Sequence, residues 1–483
     1  MNVGLGSDVR RMYAWAAMRP GIRRVGVGVA VGVMLVVVSP ARGLVWSVQP
    51  TPFSGLVSGV SCVSARFCAA VGGTDENVAG TEAIGWDGRR WRIQPTPDPD
   101  PANEALRTFD SLAGVSCASS EVCVAVGVYY PSSYSPDGIH TVLVGMPLAE
   151  RWDGLRWSLL TFPSLPSVGG LSVVSCTSSR VCMTVASSMV AERWDGTSWF
   201  AKSMPEPVGA LHTYVNGLSC TSSSFCTAVG YYLGAGPGQP FAERWDGRNW
   251  SLAPLPHVGP PVDTSLSSVS CTSPSACIAV GQSSTFPFQG SYKTLAERWD
   301  GTSWSVQSTP NAPGDYSELA GVSCTSGHGC TAVGDTAHQR PLVERWDGTR
   351  WSLQSTPSAG DTRLAAVSCT SGAICTAVGN TVGVSDVAEQ SAPASAKLTG
   401  IPVPCASARF TLRVTGIEIS SVVWSLDSKR LKGRNVDRGT RYVASVRLSP
   451  GRHELTVRVK FSASSQTHAR TFRRSVLGCS PTR

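Results

Sequence analysis

Short apolar runs alternate with polar turn residues from about residue 44 to residue 391, and the alternation repeats. One phrase is an apolar strand ending in Ser-Cys, a five-residue turn, a second Cys, and a strand of Ala-Val-Gly type. A second phrase follows it, as in Ala296-Glu297-Arg298-Trp299-Asp300-Gly301-Thr302-Ser303-Trp304-Ser305. Asp-Gly between two apolar strands signals a tight hairpin. Each repeat therefore reads as four short antiparallel strands, and no stretch of this region has helical periodicity.

The first phrase occurs seven times, and the six intervals from Cys62 to Cys369 average about 51 residues. Self-similarity at that period marks a repeat architecture, and four strands per repeat make one propeller blade. The Trp-Asp-Gly hairpin occurs six times, starting at Trp86, Trp152, Trp194, Trp245, Trp299 and Trp346. The seventh repeat continues as Val387-Ala388-Glu389-Gln390-Ser391 and lacks its last strand. Val45-Trp46-Ser47-Val48-Gln49-Pro50-Thr51-Pro52 matches the run from Ser303 to Pro310 and supplies the missing piece. The expected fold is all-β: a seven-bladed β-propeller over 44–391, closed by the N-terminal strand 45–52, then a small β-sandwich. Closure seals sheet edges that would otherwise be open to pairing.

The order strand, turn, strand ending in glycine, loop, Glu-Arg-Trp-Asp, turn, Trp resembles kelch or galactose-oxidase-type propellers. The resemblance covers about 70% of the chain. An oxidase of that type would hold copper on His and Tyr ligands and carry a Cys–Tyr cofactor. His140, His212, His257 and His338 follow no ligand spacing, and the cysteine count leaves no free thiol.

The sixteen cysteines form seven local pairs and one distant pair. They read as disulfides Cys62–Cys68, Cys117–Cys123, Cys176–Cys182, Cys220–Cys226, Cys271–Cys277, Cys324–Cys330, Cys369–Cys375 and Cys405–Cys479 in an oxidising compartment. Zinc is the competing reading, but zinc sites favour closer spacing and add histidines. The tryptophans recur in register from repeat to repeat, so they are expected to pack sheet on sheet rather than to stack on sugar. Glu150/Arg151, Glu192/Arg193, Glu243/Arg244, Glu297/Arg298 and Glu344/Arg345 are expected to tie neighbouring blades by ion pairs.

The turns inside each phrase are uniform. The loops between second and third strands, and those between repeats, vary widely and share the opposite face. Variable loops on a rigid scaffold are where recognition resides. Eight of the ten tyrosines fall on that face: Tyr129, Tyr130, Tyr134, Tyr214, Tyr231, Tyr232, Tyr292 and Tyr316. Phe286 and Phe288 join them. Tyrosine offers contact area and a hydroxyl at low entropic cost. The alternative is that these rings only pack the loops onto the scaffold. No His-Glu-x-x-His, Gly-x-Ser-x-Gly or phosphate-binding glycine loop occurs in the body of the chain. The expectation is a binding protein without cofactor, catalytic residue or metal, recognising an extracellular glycan, cell-wall polymer or protein. A secreted carbohydrate-active or oxidase-like enzyme is the alternative.

Residues 392–404 read as a linker, and from Cys405 to Arg483 the pattern becomes strict alternation, as in Leu455, Val457, Val459 and Phe461. That stretch resembles a bacterial Ig-like or PKD-like sandwich. Residues 398–483 carry 16 Lys+Arg against 4 Asp+Glu, a net of +12, whereas residues 42–397 carry 20 against 28, a net of −8. The basic domain implies an anionic partner such as a wall polymer, an acidic polysaccharide or anionic lipid. Nucleic acid is not expected, since no recognition motif is present. At the N-terminus Arg23 and Arg24 precede a 14-residue apolar run, Val25 to Val38, and then Ser39-Pro40-Ala41. This reads as a signal peptide over 1–41, the run being short of the ~20 residues a span needs. Retention as an anchor stays open. The mature chain is expected to be extracellular or surface-associated, with no transmembrane segment.

Overall fold

The computed structural model describes residues 44–479 except 54, 74–79, 101–109, 131–144, 162–168, 257–261, 286–290, 338, 357–360, 372–373, 382–383, 394, 402–404, 406–408, 418, 438–440 and 462–468. The expected signal peptide, Tyr134, His140, His257, His338, Phe286 and Phe288 lie outside the described residues. All regular secondary structure among the described residues is β-strand.

One repeat shows the local logic. Val262–Ser273, Ala276–Thr285, Tyr292–Trp299 and Trp304–Gln307 pair antiparallel in that order. Cys271 stands opposite Cys277 in the first hairpin, with Cα atoms 4.0 Å apart across the disulfide. Trp299 stands opposite Trp304 in the last hairpin, ring centres 5.8 Å apart. Between them Asp300 Oδ1 accepts the backbone N–H groups of Thr302 and Ser303. Gly301 there takes φ 105°, which only glycine adopts without strain. The two strands in the middle of the sheet are buried over residues 277–281 and 294–297, where neighbouring sheets cover both faces.

Seven such four-stranded sheets span residues 44 to 393. In the seventh, Leu44–Gln49 lies outermost and pairs with Val384–Pro393, Trp46 opposite Ser391. Trp46 is 1% exposed, buried against Val333, Val343 and Leu364.

The serine of every Ser-Cys pair links one sheet to the next. The backbone N–H of Cys117 donates to Ser61 Oγ, Cys176 to Ser116, Cys220 to Ser175 and Cys271 to Ser219. Cys324 donates to Ser270 and Cys369 to Ser323, and Cys62 closes the cycle on Ser368; all seven bonds measure 2.9–3.0 Å. The cysteine N–H is free for this because the disulfide sits at a non-hydrogen-bonded pair of its hairpin, where N–H groups point outward. The first strands of successive sheets pack on one another in the same cycle, the last on the first. The molecule is a disulfide-rich β-propeller.

The glycine of the Ala-Val-Gly strand also has a physical reason. A Cβ on Gly281 would lie 2.0 Å from the Ser265 carbonyl oxygen, and one on Gly334 equally close to that of Glu318. A β-bulge in the first strand presses its backbone against the second at this level, at Leu266/Ser268 in the fifth sheet.

The expected Glu–Arg ion pairs do not form among the described residues. Glu150, Glu192, Glu243, Glu297 and Glu344 are each 0% exposed and have no cationic partner. Burial pushes Glu150, Glu243, Glu297 and Glu344 up to about 8. The arginine beside each points to the other side of its strand, because side chains alternate. Arg244, for example, stacks 4.3 Å over Trp299 of the following sheet and 5.1 Å over Phe225. The guanidinium is taken up by aromatic rings of the neighbouring sheet, and the glutamate is left among apolar residues.

The linker expected over 392–404 is also corrected. Val384–Pro393 is strand to its end, and Ser395–Thr399 is already a strand paired with Phe410–Ile417. Its Ser, Ala and Thr composition reads as loop, yet Ala396 is buried in the C-terminal core and Leu398 packs against it. That core lies between two four-stranded sheets. One runs Ser395–Thr399, Phe410–Ile417, Arg441–Val446, Gly433–Asp437; the other runs Lys429–Leu431, Ile419–Leu426, Gly451–Phe461, Arg470–Gly478. Both contribute inward residues, among them Leu412, Val414, Trp424, Leu455 and Val457. Cys405 is disulfide-bonded to Cys479.

Candidate functional site

The two faces of the ring are identified by the turns. Trp86 Nε1 donates to the Ala65 carbonyl, Trp152 to Ser120, Trp245 to Ser223 and Trp299 to Pro274. Each bond joins the third–fourth turn to the first–second turn, so the short uniform turns share one face. The second–third loops and the connections between sheets emerge on the other.

On that variable face, the first two strands of each sheet present one cross-strand pair at a fixed register. It lies six residues before the first cysteine and five after the second. The pair is Leu56/Gly73 in the first sheet, Ser111/Val128 in the second and Tyr214/Tyr231 in the fourth. It is Ser265/Gln282 in the fifth, Glu318/Asp335 in the sixth and Arg363/Asn380 in the seventh. The third sheet's pairing begins one position further in, at Leu171/Ala186; in the other six the flanking Cys, Val and Gly repeat while this pair changes. Position-specific variation inside a repeat marks the surface free to specialise; it is aromatic in the fourth sheet and charged in the sixth and at Arg363 in the seventh.

These residues form one connected group. Tyr214 and Tyr231 stack with ring centres 4.9 Å apart, and Tyr292 and Tyr316 meet at 5.0 Å. Burial raises the Tyr231 hydroxyl, helped by Tyr214 and by the charge of Asp263. Burial raises Tyr292 as well, helped by Asp263 and Glu318. Asp263 thus acts on the tyrosines of two neighbouring sheets, and burial raises its own carboxyl. Glu318 stands directly opposite Asp335 across the first hairpin of the sixth sheet, and its charge acts on both the Tyr316 hydroxyl and the Asp335 carboxyl. Asp335 is 2% exposed, and burial first, then the charge of Glu318, hold its proton well above the usual carboxylate range. Arg363 Nε lies 3.8 Å from Asp335 Oδ2 and partly opposes that shift.

The arrangement is a half-buried basin of four tyrosine rings with three carboxyl groups and one guanidinium. Its rings offer flat apolar faces, and its acids offer acceptors or, at Asp335, a donor. Of the expected tyrosines it gathers Tyr214, Tyr231, Tyr292 and Tyr316. The rings sit at strand ends rather than at loop tips. Tyr232 lies aside, lining a cavity of about 280 Å³ with Pro240, Leu255 and Val262. Tyr129 packs against the core cluster between the first two sheets, and the Tyr130 N–H donates to Asp110 Oδ1. Asp263, Glu318, Asp335 and Arg363 were not singled out from the sequence. The varying pair flanking each cysteine hairpin is the signal that finds Glu318, Asp335 and Arg363; Asp263 lies two residues before that pair, opposite Ser284. Among the described residues no cluster of three His, Cys, Asp or Glu is arranged to hold a metal ion. All sixteen cysteines are disulfide-bonded, so none is available for a Cys–Tyr cofactor.

No protein-family model matches the chain, and no curated protein matches it. Among solved structures it is similar to YCF48 bound to D1 peptide, with 12% identity over 72% of this chain and 96% of that one, TM-score 0.47. YCF48 from Cyanidioschyzon merolae shares 14% identity over 71% of this chain and 98% of its own, TM-score 0.46. The WD40 β-propeller domain of Doa1 shares 12% identity over 74% of this chain and 96% of its own, also at TM-score 0.46.

Proposed function

We propose that the chain is a secreted seven-bladed propeller of kelch type followed by an Ig-like β-sandwich. On this reading it is a non-catalytic binding protein that takes an extracellular glycan or protein segment on its variable face. The seven-membered Ser–Cys cycle supports the blade count, and the shared core of two C-terminal sheets supports the sandwich. Eight disulfides suit an oxidising compartment, and the leader over 1–41 suits export. The observation that carries the binding reading is the Tyr214, Tyr231, Tyr292, Tyr316 and acid basin, built from positions the repeat leaves free. Tyrosine-rich surfaces with buried polar anchors are typical of recognition sites.

The test is a glycan and peptide array screened with the full chain, followed by Tyr231→Ala and Tyr292→Ala. A ligand whose affinity falls tenfold or more in either variant, with melting temperature unchanged, supports the assignment. A ligand bound equally by both variants refutes it. One observation favours an enzyme instead: Glu318 and Asp335 stand directly opposite each other, with Arg363 beside Asp335 and the Glu318 charge acting on Tyr316. Turnover of a glycan panel that Asp335→Asn abolishes would establish that reading.

A further inference from the structure

The basin on the variable face leaves the basic charge of the C-terminal domain unexplained. The outer face of its second sheet is built from side chains that alternate with the core residues. On Gly451–Phe461 these are Arg452, Glu454, Thr456, Arg458 and Lys460, between inward Leu455, Val457 and Val459. Register then fixes a row across all four strands. Arg430 is opposite Ser425, Ser425 opposite Thr456, and Thr456 opposite Arg473. The next rows place Arg458 between Val423 and Thr471, and Lys460 opposite Ser421.

Arg430, Arg452, Arg458, Lys460 and Arg473 are all exposed, and none forms an ion pair among the described residues. Glu454 is the one acid among the residues of this face named here. Neighbouring strands lie ~4.8 Å apart and alternate residues ~6.8 Å apart, so the cations form a flat grid with nearest gaps of roughly 7–14 Å. Hydroxyls of Ser421, Ser425, Thr456, Thr471 and Ser475 fill the positions between them.

We propose that this face docks a linear acidic polysaccharide. Repeating anionic groups on an extended polymer match a grid of guanidinium and ammonium groups, and guanidinium pairs with carboxylate in a bidentate fork. The interspersed hydroxyls exchange hydrogen bonds with sugar hydroxyls, which a lipid headgroup layer does not offer in that density. The only exposed large aliphatic side chain among the described residues of this face is Leu477, at its edge opposite Arg452, so the face lacks the apolar cluster that anchors a protein in a bilayer interface.

The experiment uses the full chain and three immobilised probes: polygalacturonate, neutral dextran, and phosphatidylglycerol vesicles. Polygalacturonate alone is expected to retain the protein at 50 mM salt and to release it as salt rises. The triple variant Arg430→Ser, Arg458→Ser, Arg473→Ser should bind polygalacturonate about tenfold more weakly or worse, each exposed ionic contact being worth a few-fold. Its thermal transition should match the parent. Arg413→Ser with Arg434→Ser, on the outer face of the other sheet, should leave binding within twofold. Retention on vesicles or dextran equal to that on polygalacturonate overturns the proposal, as does failure of the parent to bind. Equal loss in the two sets of variants also overturns it. Tyr231→Ala and Tyr292→Ala should leave this binding unchanged, which separates it from recognition at the variable face.

Discussion

Glu297 gives the sharpest test of how the sheets are held against one another. It is 0% exposed, neither carboxyl oxygen has a hydrogen-bond partner, and burial pushes its pKa from 4.5 to about 8. Between those values the folded chain keeps a proton that the unfolded chain has released. Its contribution to stability is therefore complete below pH 4.5 and is lost as pH rises toward 8. At ~1.4 kcal/mol per pH unit the loss from pH 4.5 to pH 7 amounts to about 3 kcal/mol for this one side chain. Glu297→Gln removes the titration while keeping the shape. A buried amide lacking partners costs about 1–3 kcal/mol at every pH, so the variant starts below the parent in acid and gains on it as pH rises. Relative to the parent, its propeller transition should move up by about 4 °C between pH 4.5 and 7, taking ~2.1 cal/mol/K of unfolding entropy per residue. Differential scanning calorimetry at both pH values, with disulfides intact, measures this directly. A parent–variant difference independent of pH would refute the reasoning, because it would mean that Glu297 is ionised and paired in the folded state. Sheet one already carries an apolar residue at this position, fully buried Ile84 opposite Ile93. Glu297→Ile should accordingly exceed the parent in stability at pH 7.

Gly281→Ala should destabilise the propeller by about 2 kcal/mol or more, since the new methyl meets backbone rather than a movable side chain; a chemical-denaturation midpoint equal to the parent's would contradict this. Trp46→Ala should remove about 3–5 kcal/mol by emptying the outer position of the seventh sheet, and proteolysis should then begin at Val384–Pro393. Ser270→Ala should lose about 1 kcal/mol by leaving the Cys324 N–H without its acceptor, visible as a lowered melting temperature and faster amide exchange at Cys324. Replacing Cys271 and Cys277 together by Ala should lower stability by roughly 2 kcal/mol, the chain-entropy value for so short a loop.

Several features of this protein were determined by the sequence alone, and they share a cause. The hairpin turns, the seven local disulfides and the Trp–Trp pairs involve residues six or fewer apart, so their geometry follows from local turn chemistry that recurs from repeat to repeat. Even the role of Trp46 was legible, because its surroundings copy those of Trp304. Other features were decided only where two distant sheets meet. The Ser before each Cys looks like part of a strand until its hydroxyl is found on the backbone of a sheet 45–60 residues away. The Glu–Arg pairs were expected to tie neighbouring blades by ion pairs, yet each glutamate is buried between sheets without a cation, and Arg244 stacks on Trp299 of the following sheet instead. Ser395–Thr399 has the composition of a linker and became a strand because Phe410–Ile417 offered it an edge and a core. The tyrosines were visible individually, but their grouping with Asp263, Glu318, Asp335 and Arg363 depends on which variable pair each sheet brings to the shared face. Local pattern specifies a sheet, and contact between sheets specifies what surrounds each buried charge and which residues share a site.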